Sequence, residues 1–409
     1  MADPGRAEPS TPSLREGGRG LGAFVADPTR FADAVWGRAP LLTRAADLPP
    51  ARHGFDAAAV DELLSRRGLR TPFLRMARDG ATVPAHDLTL GGGVGASIGD
   101  QVSEDRVLRL FAEGATIVLQ ALHRTWAPVS ESARRLAADL GHPVQANAYV
   151  TPPQNRGFDD HYDVHDVFVV QVQGEKHWRV RPPVLEAPLR TEPWTDRREA
   201  VRVAAEQEPV VDAVLRPGDC LYLPRGWLHS ATALGGTSIH LTFGVHVWTR
   251  RTLVDDLLAA AGPHLDEVPT LREALPVGVD VLDAETVATA REELRENLIR
   301  AIDAVTDEEL AAALAGRARA AERAEPLDVL AQRDAAEAEV GPRWRLRRGL
   351  AARWEGDVLV TRVGRVEAGA DREAVAGLLA GTRGPDDLAP ALRRRLALAG
   401  VLVPATPTP

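Results

Sequence analysis

Between His161 and Val180 the chain places two metal-binding side chains, an unbroken apolar run, a glycine and a lysine within twenty residues, and this segment limits what the rest can fold into. In an extended backbone, side chains two apart point to the same side, so His161 and Asp163 present an imidazole and a carboxylate to one point. That is two-thirds of a metal site. Val167 to Val172 reads as a buried strand. Gln173-Gly174 reads as a tight turn and Lys176 to Val180 as the returning strand of a hairpin, which brings Lys176 back beside the two ligands.

Lys176 stands out by composition as well. Of the 49 basic residues it is the one lysine, and 48 are arginines, as expected of a GC-rich genome that replaces lysine wherever arginine serves. An ammonium group is a compact point charge on a flexible stem, and a guanidinium is a bulkier planar fork. A narrow pocket for one carboxylate is therefore a place where lysine survives.

The chain of 409 residues, 44% hydrophobic and 26% charged, has room for two or three globular domains. Its formal charge of −9 argues against a main role in coating nucleic acid or an anionic membrane. A single cysteine, Cys220, excludes an internal disulfide framework and suits the cytoplasm. The first twenty residues are rich in Pro, Gly, Ser and Arg, which reads as a disordered tail and not as a signal peptide. No apolar run approaches a membrane span.

From 21 to about 250 a mixed extension leads into a β-rich region. A helix capped at Asp27 opens it, a second covers Phe55 to Leu63, and others cover Arg106 to Phe111 and Ser130 to Leu140, with a buried strand at Thr116 to Leu122. From Val144 to Val247, short strands divided by Pro and Gly read as a double-sheet barrel of the jelly-roll or cupin kind. The candidate strands are Gln145–Val150, His161–Val172, Lys176–Val180, Ala213–Leu215, Asp219–Leu223 and Ser238–Val247. Residues 251–340 switch to amphipathic helices, with Leu294, Leu298, Ile302 and Val305 on one stripe, as expected of a dimerisation region. Residues 341–409 order their strands and helices like a winged-helix domain. From Arg343 onward they hold twelve arginines against seven acids, a net of +5, which keeps nucleic-acid binding open as a minor reading. The fold class is thus α+β.

The third metal ligand comes from Pro217-Gly-Asp-Cys-Leu-Tyr-Leu-Pro-Arg-Gly-Trp-Leu-His229, a turn, a buried strand and a second turn ending in a histidine. Two histidines and one carboxylate on one face of a metal leave three positions open, the arrangement of non-haem Fe(II) oxygenases. His165 shares the parity of His161 and Asp163, and as a ligand would crowd one strand and leave His229 without a role. His240 and His246 read as packing histidines or as support for the ligands, His123 and His177 as surface or packing residues, and Cys220 as strand packing. Tyr162 faces either substrate or core. Trp178, Trp227 and Trp248 read as structural or channel-lining.

The chain resembles the JmjC-type Fe(II)/2-oxoglutarate oxygenases of the ribosomal-oxygenase group. The resemblance is carried by Asn147-Ala-Tyr-Val-Thr-Pro-Pro153, Gly157-Phe-Asp-Asp-His161-Tyr-Asp163, Gly174-Glu-Lys176-His-Trp178, Leu223-Pro-Arg-Gly-Trp-Leu-His229 and Ser238-Ile-His240-Leu-Thr242. It implies His161, Asp163 and His229 as iron ligands, Lys176 as partner of the far carboxylate of 2-oxoglutarate, and Asn147 and Thr242 in the cosubstrate pocket. It also implies molecular oxygen as oxidant and hydroxylation of a histidine or arginine in a ribosomal protein; the homodimer is the expectation of the amphipathic helices instead. Two other functions fit the same residues. One is the same chemistry on a peptide natural product or small molecule. The other is a non-catalytic metal-binding cupin with a DNA-binding winged helix.

Overall fold

The computed structural model describes residues 20–405 apart from 51–52, 79, 96, 156–158, 276, 281, 283, 322 and 339–340. The tail expected at 1–20 lies outside the described residues except for Gly20, whose backbone N–H bonds the Asp139 carboxylate at 2.9 Å. Gly157 and Phe158 of the motif before His161 also lie outside them. The chain divides into two compact units, Met1–Val247 and Trp248–Pro409.

The first unit is built on a nine-stranded sheet whose pairings are all antiparallel. Its main strands are β1 (Leu41–Thr43), β2 (Leu74–Arg78), β3 (Thr116–Leu119), β4 (Val144–Thr151), β5 (Asp166–Arg181), β6 (Val211–Leu215), β7 (Cys220–Leu223) and β8 (Leu228–Val245). They lie side by side in the order β1-β7-β5-β8-β4-β3-β2, with β6 paired to the far half of β5. The apolar run in β5 is buried on both faces, as its lack of alternation requires. Phe168 packs with Phe24, Phe31, Tyr222 and Phe243, so the N-terminal extension closes the outer core. Val167 and Val169 face the other way, into a cluster with Trp178, Val180, Leu221 and Leu223. The start expected at Asp27 is present, with the Asp27 carboxylate accepting from Arg30 N–H at 2.9 Å. Helix α1 (Ala57–Arg66) is capped by Asp56 in the same way.

The expected hairpin at Gln173-Gly174 is absent. β5 runs unbroken for 16 residues and pairs with β8 on both sides of that point, through Asp166–Gln173 and again through Glu175–Arg181. Gly174 (φ +65°) makes an irregularity in a continuous ladder, opposite a register break between Leu234 and Ile239. The Gln171 side-chain amide locks it by donating to Gln173 O (2.8 Å), Gly174 O (3.2 Å) and Ser238 Oγ (2.8 Å). The consequence is a change of parity. Before the break the odd residues Val167 and Val169 line the central cavity, and after it the even residues Lys176 and Trp178 do. Lys176 thus reaches the site because β5 shifts phase, and not because the chain turns back. The strand expected over His161–Val172 likewise begins only at Asp166, and β8 starts ten residues before the expected Ser238.

In the second unit, α2 (Arg250–Asp266), α3 (Ala284–Ala304) and α4 (Asp307–Ala321) precede a small terminal module. Asp256 on α2 is buried and takes a bidentate bond from Arg317 on α4 at 2.8 Å. Leu253, Val254 and Leu258 on α2 remain exposed, as do Leu294, Leu298 and Ile299 on α3. The terminal module combines a three-stranded antiparallel sheet over residues 353–367 with helices Arg372–Leu379 and Pro390–Leu398. Its three consecutive arginines are each paired within the unit, Arg393 with Asp386 (3.3 Å), Arg394 with Glu337 (2.6 Å) and Arg395 with Asp371 (2.9 Å). No helix among the described residues is long and apolar enough to cross a membrane.

Candidate active site

His161 and His229 face each other across an isolated antiparallel bridge, closed by His161 N–H to His229 O (3.2 Å) and His229 N–H to His161 O (2.9 Å). Opposed residues of such a bridge point to one side, and their ring centroids are 4.4 Å apart. Asp163, two residues on, shares that side. Its backbone carbonyl accepts from Gly226 N–H (3.0 Å), and its Oδ2 lies 3.7 Å from His229 Nε2. One donor atom from each of the three residues lies within 4.8 Å of the others. His161 Nδ1 is 2.7 Å from Asp159 O, and His229 Nδ1 is 3.0 Å from Trp227 O. A carbonyl only accepts, so both Nδ1 atoms carry the proton and both Nε2 lone pairs are left for a metal.

Electrostatics favour the same state. Burial, and then His161, pushes the His229 pKa down to about 4, which keeps the imidazole neutral. Burial alone would raise the Asp163 pKa, but His165, His229, His161 and Arg75 outweigh it, and the carboxyl is held below its usual range. Two imidazoles and a carboxylate on one side, with open space on the other, are the donor set of a facially bound Fe(II).

That open space is a cavity of about 270 Å3, walled by Val167, Val169, Trp178, Tyr149, His240 and Thr242 besides the three donors. Lys176 lines it too, and is 4% exposed. Its Nζ donates to Thr151 Oγ1 (3.1 Å), which also accepts from Thr116 Oγ1 (3.3 Å). Among the described residues no carboxylate pairs with it, and burial pulls its pKa from 10.5 to about 7. A buried ammonium with hydroxyls but no anion beside it fits one carboxylate of a ligand that reaches the metal with its other end.

The remaining sequence expectations divide. Thr242 lines the cavity. Asn147, its direct partner across β4 and β8, does not, because its Oδ1 accepts from Ala121 N–H (3.0 Å) where that residue takes φ +57°. His165 stays outside the donor trio and stacks on His246 at 5.5 Å. Tyr162 faces the core, and its hydroxyl donates to Glu192 O at 2.9 Å. His240 stacks on Tyr149 at 4.8 Å, and burial followed by the Lys176 charge keeps it neutral. His177 pairs with Asp212. Cys220 is buried, and burial pushes its thiol pKa up.

Sequence reasoning missed Arg75, Tyr149, Thr116, Thr151 and Trp194. Strand alternation carried the signal for two of them, because Asn147, Tyr149 and Thr151 share one face of β4. Arg75, on a short strand and one of 48 arginines, gave none.

The JmjC domain family model matches residues 126–253. The chain is 33% identical over 162 residues to the bifunctional lysine-specific demethylase and histidyl-hydroxylase NO66 of Drosophila persimilis, covering 38% of this chain and 23% of that protein. It is 32% identical over 281 residues to ribosomal oxygenase 1 of Gallus gallus, covering 67% of this chain and 44% of the relative. The chain therefore spans less than half the length of these relatives. The Escherichia coli ribosomal oxygenase YcfD, solved in complex with cobalt and 2-oxoglutarate, superposes with a TM-score of 0.54 at 16% identity, over 93% of this chain and 98% of that one. This likeness shows the fold, a jelly-roll of the cupin/JmjC kind with mixed helix and sheet. Oxygenases of the JmjC type use Fe(II), 2-oxoglutarate and molecular oxygen. Domain match, relatives and fold agree: the chain carries a JmjC domain on a cupin/JmjC fold and is similar to the ribosomal oxygenases.

Proposed function

We propose that the protein is an Fe(II)- and 2-oxoglutarate-dependent oxygenase that hydroxylates a side-chain carbon of a protein, with a histidine or arginine of a ribosomal protein as target. The observation that carries this reading is the convergence of His161, Asp163 and His229 beside a cavity that holds one buried, anion-free ammonium. When bound, ferrous iron with 2-oxoglutarate and dioxygen supplies the means to insert oxygen into an unactivated C–H bond, releasing succinate and carbon dioxide. His161, Asp163 and His229 are its ligands in this reading. Asp159 O and Trp227 O hold the two imidazoles in the binding tautomer. Lys176 anchors the far carboxylate, with Thr151 fixing the ammonium and Thr242 on the neighbouring wall. Val167, Val169 and Trp178 exclude water from the reacting centre.

Residues 251–340 pair two copies of the chain through the exposed leucines of α2 and α3, and residues 341–409 form a winged-helix module. The internal pairing of Arg393, Arg394 and Arg395 favours a structural role for that module over nucleic-acid binding. The enzyme works in the cytoplasm.

Purified protein given Fe(II) and 2-oxoglutarate is expected to form succinate. Ribosomal proteins from cells lacking the gene should then gain one oxygen atom on a histidine or arginine, read by mass spectrometry. Failure to bind 2-oxoglutarate or to form succinate refutes the oxygenase reading. Succinate formation with no modified ribosomal protein refutes only the substrate.

A further inference from the structure

Trp194 lines the same cavity, and its ring centroid lies 6.3 Å from that of His161. It belongs to the insertion that joins β5 to β6, and several contacts hold it rigid. The Arg198 guanidinium lies 4.7 Å over the ring. Trp194 also packs against the cluster of Tyr162, Val201, Ala204 and Leu228. Two residues before it, the carbonyl of Glu192 accepts the Tyr162 hydroxyl at 2.9 Å, and the Glu192 carboxylate accepts Leu189 N–H at 2.9 Å. Tyr162 is the residue between His161 and Asp163, so the segment that supplies two metal donors also fixes the backbone that carries Trp194. The insertion is tied on its other side as well. Gly226 (φ +89°) lets Leu185 O and Pro188 approach so closely that an added Cβ would lie 2.5 Å and 2.8 Å from them, three residues before His229. The wall is therefore built, with an aromatic surface left beside the metal donors.

We infer that Trp194 is the specificity-determining surface of this site, the platform on which the flat target side chain of the protein substrate lies while its carbon faces the metal. The inference rests on the oxygenase reading above and adds the element that selects the target. A rigid aromatic ring loses little entropy when a partner stacks on it, and a planar imidazole or guanidinium gains contact there that a branched aliphatic side chain does not. Lys176, held by Thr151, serves the cosubstrate and not the target, so loss of the Trp194 ring leaves cosubstrate binding in place.

The test compares Trp194→Ala and Trp194→Phe with the unaltered protein. Binding of 2-oxoglutarate is measured with zinc in place of iron, and modification is measured on ribosomal proteins from cells lacking the gene. Trp194→Ala is expected to keep the 2-oxoglutarate Kd within about threefold, while the ribosomal-protein concentration needed for half-maximal modification rises about tenfold or more. Trp194→Phe should recover most of that loss. An unchanged concentration dependence in Trp194→Ala overturns the inference. So does loss of 2-oxoglutarate binding, or failure of phenylalanine to rescue, because either marks the ring as structural support. Unaltered protein that converts 2-oxoglutarate but modifies no ribosomal protein refutes the substrate reading instead.

Discussion

Replacing Lys176 by methionine should make the protein more stable and its proposed ligand weaker at the same time. In the free protein no carboxylate among the described residues pairs with the buried ammonium, and burial lowers its pKa from 10.5 to about 7. That depression corresponds to a folding cost on the order of 5 kcal/mol at and below neutral pH. Between pH 7 and 10.5 the unfolded chain holds a proton that the folded chain has lost, so this group makes stability rise with pH across that window. Lys176→Met removes both the cost and the slope, because a buried charge is exchanged for an apolar side chain of similar length. Binding goes the other way. Removing one partner of a buried ion pair costs about 3–5 kcal/mol, hence a 2-oxoglutarate Kd raised by a factor on the order of 100 to 5,000. In the unaltered protein the ligand requires the charged lysine, so Kd should be flat below pH 7 and climb about tenfold per pH unit above it. Calorimetric titration with zinc and 2-oxoglutarate, alongside urea unfolding at pH 6 to 9, measures both effects. A Lys176→Met protein that binds 2-oxoglutarate normally, or a profile flat to pH 9, refutes the reasoning.

Gly174→Ala should destabilise the first unit by at least about 2 kcal/mol, since its Cβ would lie 2.4 Å from Thr237 O at φ +65°, and should weaken 2-oxoglutarate binding by displacing Lys176; a neutral urea midpoint would contradict this. Asp163→Ala should lower divalent-metal affinity by more than about a hundredfold in a folded protein, read by metal titration and circular dichroism, because the carboxylate is the one anionic donor of the trio. Tyr222→Phe should cost about 1–3 kcal/mol in the denaturant midpoint, because it leaves the buried Asp166 carboxylate without its 2.5 Å donor and Gly37 N–H without its 2.9 Å acceptor.

The spacing of His161 and Asp163 is informative because any extended backbone puts alternate side chains on one side. It held even though the segment is tied by a single bridge to His229 and is not a strand. The route of Lys176 was not legible, for a physical reason. A glycine with positive φ serves a tight turn and a ladder irregularity equally well, and only the pairing of β5 with a strand more than fifty residues away decides between them. The long span of β8 was hidden in the same way, since Gly235-Gly236 reads locally as a break while β5 carries the ladder past it. Asn147 shows the limit of the resemblance, which brings a residue type to a position but not the hydrogen bond that commits its Oδ1 to Ala121 N–H. Trp194 lies in a Pro-rich insertion without periodicity, and its place beside His161 follows from the Tyr162 hydroxyl reaching the Glu192 carbonyl. The helix at Ala284–Ala304 was legible from the apolar spacing of Leu294, Leu298 and Ile302.

Because Lys176 is the only lysine, protein grown with 15N-labelled lysine gives one side-chain amine signal, and that signal reports directly on whether the ammonium, the dicarboxylate and the metal share one cavity. The account predicts titration near pH 7 in the free protein, a rise of that pKa on adding zinc and 2-oxoglutarate, and broadening when paramagnetic cobalt replaces zinc. A signal that titrates at the ordinary 10.5 and ignores both ligand and metal would contradict it.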